Sequence, residues 1–313
     1  EFIMTHVLVT GAGGFLGSVL CEQLLAEGYK VTAVDLLLHR VPSLLHLCHD
    51  PNFDFIRADA RDMGVVGPLI AKADVLIPLA AIVGAGACAR QPVAAETTNF
   101  DAIRDLNDRR SSNQLVVYPN TNSGYGTKSG EVVCTEDSPL EPITLYGKTK
   151  VNAELLLLEA ENAITLRLAT VFGSSSRMRL DLLVNHFTYA ACTDRYVVIF
   201  EGHFKRNYIH IRDVADAFLH CITNRDKMVG HCYNAGLDDA NLSKTELAEA
   251  IRAHIPGFVI HHAPIGEDPD KRNYIVSNAR LREAGFEAKR SLDDGIVELR
   301  CAFGVMPFDY KNV

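Results

Sequence analysis

No run of apolar residues in this sequence approaches the roughly 20 that a membrane-crossing helix needs, so no membrane span is expected. Nor is there a CxxC pair or a cysteine–histidine cluster at zinc spacing. The eight cysteines stand far apart, at 21, 48, 88, 134, 192, 221, 232 and 301, and read as reduced thiols in a cytoplasmic protein. Histidines 203, 210, 231, 261 and 262 form no HxxxH or facial-triad spacing with acids, so no metal is expected either. A surplus of basic charge is also missing. The formal net charge is −8, carried by scattered acids, which disfavours a nucleic-acid binder that works through a basic surface. Any phosphate ligand must therefore meet locally placed arginines. Internal repeats and low-complexity linkers are absent, and Glu1-Phe2-Ile3 ahead of Met4 has neither the charged start nor the apolar stretch of a signal peptide. These three residues read as an appendage outside the fold.

What remains is the make-up of a globular enzyme, 48% hydrophobic and 22% charged over 313 residues, enough for one large domain with or without a smaller lobe. Apolar strand-length runs at 6–10, 31–35, 53–57, 75–79, 115–118 and 164–168 alternate with helix-length segments, among them 15–27 and 145–161. This alternation predicts an α/β fold with a doubly wound, Rossmann-type parallel sheet. Beyond residue 173 the rhythm loosens. Helices are expected near 180–192, 213–223, 244–254 and 292–303, with short strands near 196–200 and 206–211 and a loop over 264–270. Ser243 and Glu246 spell a capping box for the third of these helices. The expected division is a large domain over 4–173, to which parts of 200–235 return, and a small, interwoven, mixed α/β substrate lobe over 174–313.

The first strand ends in Gly11-Ala12-Gly13-Gly14-Phe15-Leu16-Gly17. Position 16 is leucine, so the spacing is GxxGxxG through Gly11, Gly14 and Gly17 rather than GxGxxG. Glycine lets backbone approach a pyrophosphate, whose charge meets N–H groups at the helix N-terminus. Asp35 ends the second strand 18 residues after Gly17, where its carboxylate can accept both hydroxyls of a ribose and repel the extra phosphate of NADP. The cofactor expected is NAD, with Arg40 as the one nearby cation that favours NADP.

Tyr146 and Lys150 in YGKTK stand one helical turn apart, so the ammonium can stabilise a phenolate and make it a base near neutral pH. This pair follows a polar, glycine-rich strand end, Asn120-Thr121-Asn122-Ser123-Gly124-Tyr125-Gly126, at the edge where open sheets bind ligands.

TGAGGFLG at 10–17, Asp35, Asp59 and Ala60 in ADARD, LAA at 79–81, Asn99, NTNSGYG at 120–126, YGKTK at 146–150, RLATVFG at 167–173 and RNYIHIRDVADAF at 206–218 together carry a resemblance. Over nearly its whole length the chain resembles the extended short-chain dehydrogenase/reductases that act on nucleotide sugars, the UDP-glucose 4-epimerase-like group. The resemblance implies that Gly11, Gly13, Gly14, Phe15, Leu16, Gly17, Asp35, Asp59, Ala60, Leu79, Ala80 and Ala81 line a tightly bound NAD. Asn99 belongs to the same region in a mainly structural part. It implies Thr121 as the hydroxyl on the reacting sugar oxygen, with Ser123 as rival, Tyr146 as base, and Lys150 as both its modulator and a ligand of the nicotinamide ribose. The chemistry implied is oxidation of the sugar C4 hydroxyl to a ketone. Dehydratases of this family carry an Asp-Glu pair just after the hydroxyl; here the pair is Asn122-Ser123, which cannot serve as acid and base. A 4-epimerase is therefore expected, with a 4-dehydrogenase that releases the ketone as the alternative and a non-catalytic NAD sensor as the reading from another class.

For a nucleotide diphosphate-sugar, Arg206 and Arg272 are the expected phosphate ligands, their forks matching paired oxygens. Asn122, Ser123, Thr170, Arg179 and Asn185 are further candidates for substrate contact, Asn185 having the alternative of an exposed helix position. PNTNSGYG, RMRLDLLVN and GEDPDKRNY resemble a branch that handles surface-polysaccharide sugars, GDP-linked heptoses included. The resemblance also implies a homodimer, with the 145–161 helix and its leucine run at the contact.

Overall fold

The expected alternation is what the chain builds. In the computed structural model, which describes residues 4–128, 132–264, 266 and 273–306, the first part runs β1 (His6–Thr10), α1 (Phe15–Ala26), β2 (Lys30–Asp35), β3 (Phe53–Arg57), α2 (Met63–Ile70) and β4 (Val75–Pro78). It continues through α3 (Ala85–Arg90), α4 (Pro92–Glu96), α5 (Ala102–Arg109) and β5 (Leu115–Thr121). Next come β6 (Val133–Cys134), α6 (Leu145–Glu159), β7 (Ala163–Leu168), β8 (Thr170–Phe172), α7 (Leu183–Thr193), β9 (Tyr196–Ile199) and β10 (Lys205–His210). The remainder is α8 (Ile211–Thr223), α9 (Arg225–Met228), β11 (Cys232–Ala235), β12 (Asn241–Ser243), α10 (Lys244–His254), β13 (Val259–His262), β14 (Ile275–Val276), α11 (Ala279–Glu283) and α12 (Leu292–Val305).

Seven of these strands form one parallel sheet in the order β3-β2-β1-β4-β5-β7-β11. Both faces are covered, and the strand residues divide between two cores. Val7 and Val9 of β1 pack into the core shared with α1 and α8, whereas Leu8 points into the opposite core with α2, α5 and α6. The same alternation repeats in β5, where Leu115 and Val117 face one core and Val116 and Tyr118 the other. Strands buried on both faces read as unbroken apolar runs, which is why their sequences show little period-2 pattern. Strand order reverses between β1 and β4, so the crevice at their carboxyl ends is where such a sheet holds a ligand.

The C-terminal third adds a three-stranded sheet, β12-β10-β8, and two parallel pairs, β13-β9 and β14-β6. The Ser243–Glu246 capping box forms with both of its hydrogen bonds. Helix α7 begins at Leu183 rather than near 180, because residues 174–182 form a loop that Asn185 ties down. One strand of the main sheet escaped the sequence reading: β11 is only four residues, CYNA, and its Asn234 breaks the apolar run. The fully buried Asn234 amide accepts from Tyr125 Oη at 2.6 Å and donates to the Ser277 carbonyl at 3.0 Å.

Candidate active site

The crevice opens at the glycine turn. Gly11 takes φ +71°, and a Cβ there would stand 2.5 Å from Ala80 N, so the turn lies directly on the Leu79–Ala80 backbone. At Gly17 the obstacle is the turn itself, with Gly11 O 2.5 Å from an added Cβ. Gly14 differs, since a Cβ there would meet only Gly11 O, at 3.1 Å, and otherwise project into open space. As the N-cap of α1 it supplies no side-chain acceptor, so the first N–H groups of the helix are left to an anion from outside. Asp35 closes the far side. One carboxylate oxygen accepts from Gly13 N at 2.9 Å and the other from Leu37 N at 2.6 Å, which fixes the group at the end of β2. An uncapped helix N-terminus beside a fixed carboxylate fits a dinucleotide pyrophosphate and ribose.

Further along the rim, Asp59 is paired with Arg61 at 2.6 Å, and the hydrogen bonds from Arg61 hold its carboxyl below the usual range. Ala60, Leu79, Ala80 and Ala81 are each partly exposed beside it or at the strand ends. Asn99 is buried and uses both ends of its amide on Ile82, accepting from its N–H at 2.8 Å and donating to its carbonyl at 3.0 Å. Its part is to hold the segment after β4 in place.

Thr121 ends β5, and its hydroxyl lies 2.9 Å from Ser123 Oγ while accepting from Ser123 N at 3.1 Å. The two candidate hydroxyls therefore form one unit rather than standing as rivals at separate places. Asn122 between them is turned inward: it is 1% exposed, and among the described residues neither end of its amide has a hydrogen-bond partner. Helix α6 starts over this turn, capped by Thr144, which accepts from Gly147 N at 3.1 Å. Tyr146 in the first helical turn is half-buried, and Lys150 one turn on is buried, its Nζ 4.0 Å from the centroid of the Tyr118 ring. Burial pushes the Lys150 pKa down to about 7, against the pull of Glu154.

Glu154 lies one turn further on the same helix face and was not singled out by the sequence reading. It is fully buried and accepts from Asn120 Nδ2 at 2.7 Å, Thr165 Oγ1 at 2.9 Å and Arg167 Nη2 at 2.7 Å. Arg167 in turn donates to Tyr125 Oη at 3.0 Å and the Glu136 carbonyl at 3.0 Å. The i, i+4, i+8 series Tyr146, Lys150, Glu154 was there to be found.

The expected substrate contacts fare unevenly. Thr170 opens β8 opposite Tyr208, and Arg206 is buried on the neighbouring β10. Arg179 forms an ion pair with Asp181. It also comes close enough to His39, in the loop after β2, to lower the imidazole pKa alongside burial and Arg177. Asn185 departs from both of its readings. It is fully buried, accepting from Gly173 N at 3.1 Å and donating to the carbonyls of Gly173 at 3.3 Å and Arg179 at 2.9 Å, so its amide is engaged within the chain. Arg272 lies outside the described residues. Among the described residues no group of three or more His, Cys, Asp or Glu side chains is arranged to hold a metal, and no helix is long and apolar enough to cross a membrane.

A family model described as the NAD dependent epimerase/dehydratase family matches residues 7–236. The chain belongs to this family. UDP-glucose 4-epimerase of Mycolicibacterium smegmatis is 30% identical to it over 311 residues, with 94% of this chain and 96% of that protein covered. dTDP-glucose 4,6-dehydratase of Streptomyces niveus is 27% identical over 313 residues, with 94% and 91% covered. The crystal structure of a UDP-glucose 4-epimerase with UDP-glucose from Thermotoga maritima shares the fold, with a TM-score of 0.83 at 23% identity over 96% of this chain and 98% of that one. Membership in the family makes NAD the cofactor of this site. An epimerase and a dehydratase resemble the chain about equally, so the reaction must be read from the residues at the sugar.

Proposed function

We propose that this protein is an NAD-dependent nucleotide-sugar 4-epimerase. The observation that carries the reading is the pair after Thr121. Asn122 is buried with its amide turned away from solvent, and Ser123 is hydrogen-bonded to Thr121, so no acid or base stands there to remove water from C5 and C6. Tyr146 Oη takes the proton of the sugar 4-hydroxyl, and the Thr121–Ser123 pair donates to the same oxygen as it becomes a carbonyl. Lys150 keeps a positive charge behind the phenolate. When bound, NAD supplies the acceptor for the C4 hydride. Once the ketone has turned its other face, C4 takes that hydride back from the same cofactor, and Tyr146 returns the proton to the oxygen.

Arg206 and Arg179, with Arg272, are assigned to the phosphates, and residues 174–313 to the substrate lobe. The 30% identical epimerase, named for UDP-glucose, supports a nucleoside diphosphate-sugar as substrate. A homodimer belongs to the same proposal, and Leu155, 54% exposed on α6, is the side chain that a partner would cover. So does a reducing, cytoplasmic setting, in which the eight free cysteines stay thiols.

The test is incubation with UDP-, GDP-, CDP- and dTDP-hexoses, and with a GDP-linked heptose, followed by proton NMR at C4. Inverted C4 stereochemistry without 6-deoxy product is expected, and Tyr146→Phe should lower turnover by about 10²- to 10⁴-fold. A 4-keto-6-deoxy product, or NADH that accumulates with released ketone, overturns the epimerase reading.

A further inference from the structure

Helix α12 belongs to the C-terminal third, yet one of its side chains holds the residue next to the one that meets the first turn of α1. After β8, Gly173 turns the chain at φ +116°, where a Cβ would stand 2.8 Å from His210 Nε2. Ser174 then donates its N–H and its hydroxyl to Glu298 Oε1, at 2.7 and 2.6 Å. The other carboxylate oxygen of Glu298 lies 3.0 Å from Nε2 of the fully buried His210. Nδ1 of that ring accepts the Arg212 N–H at 3.2 Å, which fixes Nε2 as the nitrogen that donates to Glu298.

The next residue meets the cofactor helix itself. Ser175 Oγ donates to the Phe15 carbonyl at 2.8 Å and lies 2.9 Å from Ser18 Oγ, both in the first turn of α1. Arg177 and Arg179 follow, and their charges join burial in lowering the imidazole pKa of His39 in the loop after β2. Asn185 ties the two ends of this stretch together through Gly173 and Arg179. Residues 173–181 thus leave β8 at the Glu298 side chain of α12 and pass the first turn of α1, at the pyrophosphate end of the cofactor seat.

We propose that Glu298 is a positioning residue for the cofactor: its bonds to Ser174 and His210 clasp residues 173–181 against the first turn of α1, and this clasp sets the rate at which NAD leaves. The inference rests on the NAD site alone and not on the sugar. Regular secondary structure does not hold this stretch; Met178 anchors its middle in the core, and the Glu298 bonds to Ser174 and His210 fasten its beginning. The clasp is charged at working pH. Burial raises the Glu298 pKa, but hydrogen bonds from His210 and Ser174 outweigh it and hold the carboxyl at about 2.

The experiment is exchange of bound NAD for isotopically labelled NAD in the purified full chain, with the wild type compared with Glu298→Ala, Ser174→Ala and the double variant. Exit about tenfold faster is expected for Glu298→Ala, as for the loss of charge-assisted hydrogen bonds. A smaller acceleration is expected for Ser174→Ala, and the double variant should be no faster than Glu298→Ala, because both act through one clasp. General loosening of the fold would instead make the two effects add. Equal exit rates, or additive ones, in protein that still binds NAD overturn the clasp and leave the cofactor reading intact. A wild type that takes up no NAD overturns both. Should Glu298→Ala not fold, Ser174→Ala, which keeps the His210–Glu298 pair, carries the test alone: faster NAD exit supports the clasp and an unchanged rate overturns it.

Discussion

Lys150 is the residue on which the pH behaviour of this site turns. A buried ammonium with its pKa near 7 loses its proton as pH rises through neutrality, and with it the charge that favours the Tyr146 phenolate. The pH profile of kcat/KM should therefore fall on the alkaline side from about pH 7. Lys150→Arg, whose guanidinium keeps its proton, should lose part of the activity but also lose that alkaline limb. For stability the sign is opposite. The folded pKa of about 7 lies below the unfolded lysine value of about 10.4, so the unfolded state binds more protons between them and stability contributed by this group rises with pH across that window. Urea midpoints of wild type and Lys150→Met at pH 7 and 9 measure it; equal pH dependence in the two would remove Lys150 as the source. Most of this was legible in the sequence, since YGKTK places the two side chains on one helix face. What was not legible is how deeply Lys150 is buried, because burial comes from Tyr118 and from the polar cluster beneath it, residues distant in sequence.

Among the elements, strands and long helices were the most legible parts. Apolar runs bounded by glycine or by acids mark β1, β2 and β4, and the Ser243–Glu246 pair marks the start of α10 to the residue. Loops that borrow side chains from elsewhere were the least legible. Asn185 looks like a surface residue in the string LLVNHF, but it becomes a buried brace because Gly173 and Arg179 of the preceding loop fold back onto its amide. Asn185→Ala leaves the N–H of Gly173 and the carbonyl of Arg179 without their partner and should cost about 2–4 kcal/mol. Urea unfolding at constant m-value measures the loss; a change under about 0.5 kcal/mol would mean that solvent replaces the brace. The same variant should also speed NAD exit, since the brace and the Glu298 clasp hold one loop.

At the scale of the whole molecule, the sequence reading has parts of 200–235 return to the large domain without naming a strand there, and the main sheet is finished by β11, at Cys232–Ala235. The family match through residue 236 ends just after that strand. A fragment of residues 4–173 should therefore fail to give a cooperative thermal transition, whereas 4–236 should retain more ordered structure; circular dichroism melts of the two distinguish them. If 4–173 melts as sharply as the full chain, β11 is dispensable. Against a net charge of −8, the N–H groups at the uncapped start of α1 are a local anion site. For that reason the composition hid the phosphate chemistry that the glycine turn revealed.

The late arrival of β11 also bears on how the protein is made. While a ribosome adds residues at ~5–20 per second, β7 emerges with one edge unpaired and stays so until the chain has reached Cys232–Ala235. An open, apolar parallel edge is a template for another nascent chain. Yield in the cell should thus depend on translation speed between Leu168 and Cys232 and on chaperone supply during that interval, more than on the stability of the finished fold.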